Sequence, residues 1–227
     1  MSGKLTSLLA SQDMTQGSPS GNLIRFSVPL LIGNLAQQLY STVDSIVVGY
    51  YVGDNALAAV GASGPILNLL LVLFMGISVG ASVMVSQYFG AKDRERLEKT
   101  VGTTLTATVV SSIFIMVVGP LITPPVMSAL STPPEIYDMA CTYLVILFAG
   151  IVGSAFYNIL SGVLRGLGDS VTPVFFLIIA CLLNIVLDVW FVAGFHWDVA
   201  GVAIATIISQ IVSGGLCLIR MFFMRDV

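Results

Sequence analysis

Six long and mostly apolar segments, separated by short polar turns, occupy most of the 227-residue sequence. In lipid, a spanning helix must hydrogen bond its own backbone, and it needs about 20 mostly apolar residues. Each segment meets that length, and the six cover residues 26–51, 59–88, 101–123, 136–163, 173–195 and 199–222. The sequence therefore predicts an all-α integral membrane protein, a six-transmembrane-helix bundle over residues 22–227 that follows a polar segment over residues 1–21.

The composition argues against an enzyme and against a nucleic-acid-binding protein. Charged residues make up 9% of the chain, against roughly 25% in an ordinary soluble domain, and no basic patch suggests a nucleic acid partner. Cys141, Cys181 and Cys217 each fall within a predicted span, where cysteine behaves as a small apolar residue. The one histidine, His196, stands in a predicted loop beside Trp197. We expect neither catalysis nor a cofactor, and no metal beyond a possible bound Na⁺.

The lysines and arginines are distributed very unevenly among the predicted loops. All nine lie before the first segment, at or beyond the end of the last, or in the loops between the second and third and between the fourth and fifth. Basic residues remain on the cytoplasmic side when spans insert, so this distribution predicts that both termini are cytoplasmic. We expect a multi-pass protein of the cell (cytoplasmic or inner) membrane, with residues 1–21 in the cytoplasm.

Two aspartates, Asp44 and Asp188, lie well inside predicted spans, whereas the other ten acidic residues fall in loops or near span ends. A carboxylate in mid-membrane costs about 2.5 to 3.5 kcal/mol, so it indicates a function. At about 1.5 Å per helical residue, Asp44 lies about 9 Å and Asp188 about 6 Å to the outer side of the membrane centre. Thr206, on the sixth segment, comes out about 7 Å from the centre on the same side. Polar groups from three spans therefore share one depth.

Helical spacing gives each of these three residues a polar face. The faces comprise Gln37, Tyr40 and Asp44 on the first span, Asn184 and Asp188 on the fifth, and Thr206, Gln210 and Ser213 on the sixth. Hydroxyls and amides often hydrogen bond between membrane helices, and this is the ordinary explanation for the face of the sixth span. It does not explain the aspartates, because such bonding does not require a carboxylate.

The two aspartates suggest an ion or proton switch. Two carboxylates in a poorly solvated pocket cannot both ionise cheaply. The pair can take up a proton, or it can hold a hard cation such as Na⁺ in an oxygen cage with Asn184 and Thr206. The residues alone leave both alternatives open.

Prolines and glycines mark candidate breaks and contacts. Pro29 removes a backbone hydrogen bond from the first span, and it either hinges that helix or marks its start. The pair Pro124–Pro125 predicts a break after the third span. Gly76 and Gly80 are one helical turn apart, and a small residue follows Gly150 at the same spacing. This spacing fits close helix packing in lipid.

Several separated motifs agree, in order, with one known family. They are Pro29, Asp44 and Gly49 with Leu57-Ala58-Ala59, then SQYFGAKD over 86–93, LRGLGDSVTP over 164–173, NIVLD over 184–188 and GVAIATIISQ over 201–210. Together they resemble the amino-terminal six-helix lobe of the multidrug and toxic compound extrusion (MATE) transporters. The resemblance covers the chain from about residue 22 onward.

The resemblance implies a secondary active antiporter that exports cationic or amphipathic drugs or metabolites in exchange for H⁺ or Na⁺. It assigns the cation- or proton-coupling role to Asp44, Asn184, Asp188 and Thr206. It also implies that three residues line the substrate cavity, namely Gln37, Tyr40 and Asn158. It also implies that Pro29 lets the first helix bend.

Family members resemble two such lobes in tandem, and this sequence matches one. We expect either a portion of a longer protein or a half that pairs as a homodimer, which is allowed because both lobes enter the membrane from the same side. Two alternatives remain: a lipid-linked saccharide flippase of the same superfamily, or a non-transporting membrane subunit or inactive truncated fragment. The flippase is disfavoured, since such cavities tend to carry arginines and none of the nine basic residues lies mid-span.

Overall fold

The computed structural model describes residues 19–223, so most of the predicted polar segment lies outside the described residues. The described chain is helical, in agreement with the predicted all-α class. Its helices are α1 (Pro19–Tyr51), α2 (Asp54–Gly90), α3 (Arg94–Ala129), α4 (Pro134–Ala149), α5 (Ile151–Gly166), α6 (Val171–Val189) and α7 (Asp198–Phe223). A π-helical turn, Trp190–Gly194, continues α6.

Four helices are by themselves long and apolar enough to cross a membrane: α2, α3, α6 with its π-helical turn, and α7. The pair α4 and α5, bent by 53°, adds a fifth span if it is counted as one. These helices confirm a multi-pass membrane protein. α1 is long enough to be a span, but its composition is too polar for it to be counted as one. Its apolar residues are interrupted by Asn34, Gln37, Gln38 and Asp44. The count of six spans and their orientation remain predictions.

The segment predicted as one span over 136–163 is not one straight helix. α4 ends at Ala149 and α5 begins at Ile151, and Gly150 between them has φ −100° and ψ 10°, outside the helical values. Ile207 of α7 packs directly against Gly150, in the space that a side chain there would occupy. The close packing expected of Gly150 is therefore present, and the span bends at the same residue.

Prolines occur inside helices where the sequence suggested helix ends. Pro29 lies ten residues after α1 begins at Pro19, so the helix-start alternative is wrong. The Pro124–Pro125 pair lies within α3, which continues to Ala129, so the predicted break is also wrong. The Tyr137 hydroxyl of α4 donates a hydrogen bond to the carbonyl oxygen of Pro124 at 3.0 Å. This bond ties α4 to the part of α3 that contains the prolines.

α5 is the central helix of the bundle, because it packs extensively against both α7 and α2. Its contact with α2 is closest at Gly162, where any side chain would overlap Ser78. By contrast, Gly76 and Gly80 have no atom near the position of an added Cβ. The close packing predicted for these two glycines is therefore wrong within residues 19–223.

An added methyl group at Gly162 should destabilise the fold, whereas the same change at Gly76 should not. A Cβ at Gly162 would lie 2.8 Å from the carbonyl oxygen of Ser78, and overpacking a tight contact costs about 1–3 kcal/mol. Gly76→Ala meets no atom within 4 Å, and it adds helix propensity. We expect Gly162→Ala to lower the midpoint of thermal unfolding in detergent, and Gly76→Ala to keep or raise it. Equal midpoints would contradict the close contact of α2 with α5.

Candidate functional site

The two intramembrane aspartates come together between α1 and α6. Asp188 is fully buried, and the exposed fraction of Asp44 is 7%. Their carboxyl groups are close enough to interact directly. Because ionised carboxylates only accept hydrogen bonds, a bond between the two requires a proton on one of them. The predicted pairing of the two aspartates is therefore present, and its role remains a prediction.

Asn184 lies one turn before Asp188 on α6 and is also fully buried. Its side-chain Nδ2 donates a hydrogen bond to Oδ1 of Asp188 at 3.4 Å. This bond fixes the orientation of the amide, because the other side of the group must then present its oxygen. α6 thus contributes a carboxylate and an amide oxygen from one face.

Tyr40 and Thr206 complete the cluster from α1 and α7. Tyr40 lies one turn before Asp44, and its exposed fraction is 5%. Its hydroxyl lies next to the hydroxyl of Thr206, although no hydrogen bond joins them. The structure therefore brings together Tyr40, Asp44, Asn184, Asp188 and Thr206, from three helices. Their roles remain predictions.

Five oxygen atoms of this cluster are buried without a hydrogen-bond partner among residues 19–223. They are the Tyr40 hydroxyl, Asp44 Oδ1, Asn184 Oδ1, Asp188 Oδ2 and Thr206 Oγ1. An unsatisfied buried polar group costs about 1–3 kcal/mol, and native proteins leave few of them. No Lys or Arg forms an ion pair with either carboxyl in the part of the chain that the structure describes. An all-oxygen set with two carboxylates suits a proton or a hard cation such as Na⁺.

The comparison with known families covers this site. The MatE family model matches residues 29–190, a range that includes both aspartates. The chain belongs to the MatE family. MatE proteins are transporters, which agrees with the expected class of function.

Curated and solved MatE proteins match nearly the whole chain. The probable multidrug resistance protein YoeA of Bacillus subtilis (strain 168) is 33% identical over 221 residues, which are 96% of this chain and 47% of that protein. A solved MATE in the bent conformation has TM-score 0.86 and 29% identity. A MATE in the straight conformation has TM-score 0.82 and 31% identity. The alignments with these two structures cover 93% of this chain and 47% of each of them. The chain spans about half the length of the MatE proteins it matches, which is consistent with one lobe.

The other residues predicted from the MatE resemblance lie outside the hydrogen bonds of the cluster. Gln37 is partly buried on α1, one turn before Tyr40. Asn158 lies on α5, where its amide donates to the carbonyl oxygen of Ser154 at 2.8 Å. The backbone carbonyl of Asn158 accepts a hydrogen bond from Ser78 of α2 at 2.6 Å. Asn158 therefore contributes to the packing of α2 on α5, and its place in a substrate cavity stays a prediction.

The π-helical turn that follows Asp188 is not predicted from the sequence. Such turns are rare and often occur at functional sites. Here a ring cluster forms at the turn, with centroids of contacting rings between 5.3 and 6.3 Å apart, from Trp190, Phe191, Phe195 and Trp197. The density of aromatic residues was visible in the sequence, but it indicated only an interfacial position.

A second polar cluster joins the loop after α5 to the end of α7. Asp169 Oδ1 accepts a hydrogen bond from the backbone N–H of Thr172 at 3.0 Å, and Oδ2 accepts from the Thr172 hydroxyl at 2.7 Å. Arg220 Nε also donates to Oδ2, at 3.3 Å. From the sequence, Asp169 seemed an ordinary loop acid. The signal that could have identified it is an aspartate three residues before a threonine at a helix start, the spacing of a helix cap.

Asp169→Ala should destabilise the MatE fold far more than Glu98→Ala. Asp169 is 2% exposed, and hydrogen bonds to a charged group are worth about 1.5–3 kcal/mol. Glu98 pairs with Arg94 at 3.6 Å on the surface, with both side chains more than half exposed, and such pairs contribute about 0–1 kcal/mol. Chemical unfolding in detergent measures both. Similar losses for the two variants would show that the Asp169 cluster does not hold α7 to the loop.

Proposed function

We propose that this chain is the amino-terminal six-helix lobe of a MATE-type secondary antiporter in the cell membrane, with both termini in the cytoplasm. The antiporter exports cationic or amphipathic drugs or metabolites in exchange for H⁺ or Na⁺. The observation that carries the proposal is the buried Asp44–Asp188 pair, which faces no basic partner among the described residues. The name of the relative YoeA, a probable multidrug resistance protein, supports drugs as the exported substrates.

The coupling ion acts by changing the charge of the aspartate pair. When both carboxyls are ionised, their repulsion and their desolvation are uncompensated. A proton shared by the two, or a Na⁺ held by them with the oxygens of Asn184 and Thr206, removes this cost. Because Asp44 belongs to α1 and Asp188 to α6, the ion holds these helices together, and its release lets them separate. The ion thereby shifts the population between two positions of α1.

The exposed face of α1 supports a water-filled cavity beside this lobe. Asn34, Gln38 and Ser41 recur on that face at helical spacing. Polar groups that face lipid are costly, so the face suits water or another protein surface. A second six-helix lobe, or a second copy of this chain, supplies the opposite wall of the cavity.

The drug binds within that cavity. Gln37 and Tyr40 of α1 and Asn158 of α5 are the residues that we expect to line it. Substrate and ion thus occupy adjoining places on α1, with Tyr40 between them.

Asp188→Asn should abolish ion-driven drug efflux, whereas Asp54→Asn should not. Asp54 is an exposed acid in the first turn of α2. Neutralising Asp188 removes the charge that the ion must balance, and we expect the initial rate of efflux to fall at least about tenfold, given the cost of retaining such a carboxylate. The measurement is ethidium efflux from cells that lack their own drug pumps and express this chain, alone or with a second MATE lobe.

An ion-binding measurement on the isolated chain separates coupling from assembly. A ligand that binds only the folded state raises thermal stability by mass action. Stabilisation by Na⁺ over choline identifies Na⁺ as the ion, and acid stabilisation that is lost in Asp188→Asn identifies the proton. If Asp44→Asn and Asp188→Asn keep the efflux and ion dependence of the wild type, the coupling proposal is wrong. Intact ion binding without efflux means that the lobe requires its second half.

Pro29→Ala should slow drug efflux and leave ion binding unchanged. Alanine restores the N–H that proline lacks, so α1 loses the point at which it can bend. Pro120→Ala is the matched control, because Pro120 also lies inside a helix, in α3, away from the aspartates. Efflux rates and ion-dependent stability are measured side by side for the two variants. Efflux at the wild-type rate in Pro29→Ala would exclude Pro29 as the hinge.

A further inference from the structure

A row of buried polar side chains continues from the aspartate cluster along α7. At 100° per residue, Thr206, Ser209, Gln210 and Ser213 fall within one sector of about 100° around the helix. The row extends about 10 Å along the axis from Thr206 to Ser213. Ser209 and Ser213 are fully buried, and Gln210 is 6% exposed. The row therefore begins at the aspartate cluster and runs along the inner face of α7.

The sequence led us to expect that these side chains form hydrogen bonds between helices. They do not form them in the structure. Ser209 Oγ, Gln210 Oε1 and Ser213 Oγ have no hydrogen-bond partner within residues 19–223. Ser112 of α3 is likewise unpaired, but the buried hydroxyls of Ser63 and Ser161 differ. Ser63 donates to the carbonyl oxygen of Ala59 at 2.8 Å. Ser161 donates to the carbonyl oxygen of Asn158 at 2.9 Å.

The chemistry of the row suits water. Each unsatisfied buried group costs about 1–3 kcal/mol, and proteins commonly satisfy such groups with buried water that makes two to four hydrogen bonds. The row offers hydroxyl and amide oxygens that are neutral, so it has no charge to attract a cation away from Asp44 and Asp188. Hydroxyls can both donate and accept, which is what a chain of water molecules requires.

An apolar cluster closes the far end of the row. Cys217 continues the same face of α7 and packs with Leu177 of α6 and Leu164 of α5. Leu177 precedes Asp188 by the same eleven residues by which Cys217 follows Thr206, so the two lie level, about 16 Å from the aspartate cluster. Beyond this layer, Arg220 reaches Asp169. The row is thus open toward the aspartates and closed toward the Asp169 end.

We propose that Thr206, Ser209, Gln210 and Ser213 bind a column of water that connects the Asp44–Asp188 pair to the apolar layer around Cys217. The column extends the ion site by about two helical turns toward the end of the bundle that carries Asp169. Its role rests on the proposed function: the water hydrates the coupling ion, or relays the proton, on the cytoplasmic side of the pair.

X-ray hydroxyl-radical footprinting tests the column directly, because radicals formed from bound water modify the side chains beside it. The chain is placed in lipid nanodiscs with its three cysteines replaced by alanine, and Ser213→Cys is compared with Ser161→Cys. Both serines are buried, at 0% and 2% exposure, but the hydroxyl of Ser161 is satisfied by protein. We expect the thiol introduced at 213 to be modified at least about tenfold faster, since bound water adjoins only that position.

Equal modification rates for Ser213→Cys and Ser161→Cys overturn the proposal. Ser209→Cys is measured alongside and should behave as Ser213→Cys does, which guards against a single misfolded variant. Size-exclusion profiles confirm that each variant is folded. The footprint requires neither transport nor a second lobe. Fast modification of the thiols at positions 209 and 213, together with wild-type efflux in Asp188→Asn, would support the water column and reject the coupling role. Slow modification with an inactive Asp188→Asn would do the reverse.

Discussion

The burial of two carboxylates that face no basic partner among the described residues governs the arrangement of this helix bundle. Asp44 and Asp188 lie on different helices, so neither α1 nor α6 can take its position independently of the other. Their neighbours Asn184, Thr206 and Tyr40 supply oxygen atoms, and one oxygen of each carboxyl has no hydrogen-bond partner among the described residues. When both carboxyls are ionised, their desolvation and mutual repulsion destabilise the site, and a bound proton or cation stabilises it. Under the proposed function, the coupling ion therefore contributes to the energetics of helix packing.

Asp169 and Asp188 are both buried aspartates, but they differ in how fully their carboxyl oxygens are hydrogen bonded. Asp169 is satisfied by Thr172 and Arg220, with a charge partner and two hydrogen bonds from a helix start. Asp188 accepts one long hydrogen bond from Asn184 and retains an unsatisfied oxygen. The first cluster holds the loop after α5 to the end of α7. The second, with the polar row along α7, leaves oxygen atoms unpaired, as the proposed ion and water sites require.

Close helix contacts around α5 position these groups. Gly150 lets Ile207 of α7 approach, and Gly162 lets α2 approach at Ser78. These contacts place the polar face of α7 against α6, where Thr206 meets the aspartate cluster. α1 has few contacts apart from those with α6, so it is the helix whose position depends most on the aspartate pair. Rigid packing at the centre and a loosely held α1 suit a site that couples ion binding to movement.

Properties of single helices could be read from the sequence. Apolar segment length indicated the all-α membrane class, because lipid demands internal backbone bonding from each span. The cost of a carboxylate in lipid singled out Asp44 and Asp188, and helical spacing gave the faces that meet in the structure. The MATE motifs indicated the family that the comparison then showed. None of these inferences requires knowledge of which helices touch.

Contacts between helices were decided by the tertiary structure alone. Ile207 packs against the bend at Gly150, α3 continues through Pro124 where Tyr137 of α4 contacts it, and Gly76 has no close neighbour within residues 19–223. The missing partners of Ser209 and Ser213 became visible only when every neighbouring group was in place. The physical reason is that periodicity and burial cost act within one helix, whereas bends, close approaches and unsatisfied atoms result from packing between residues distant in sequence.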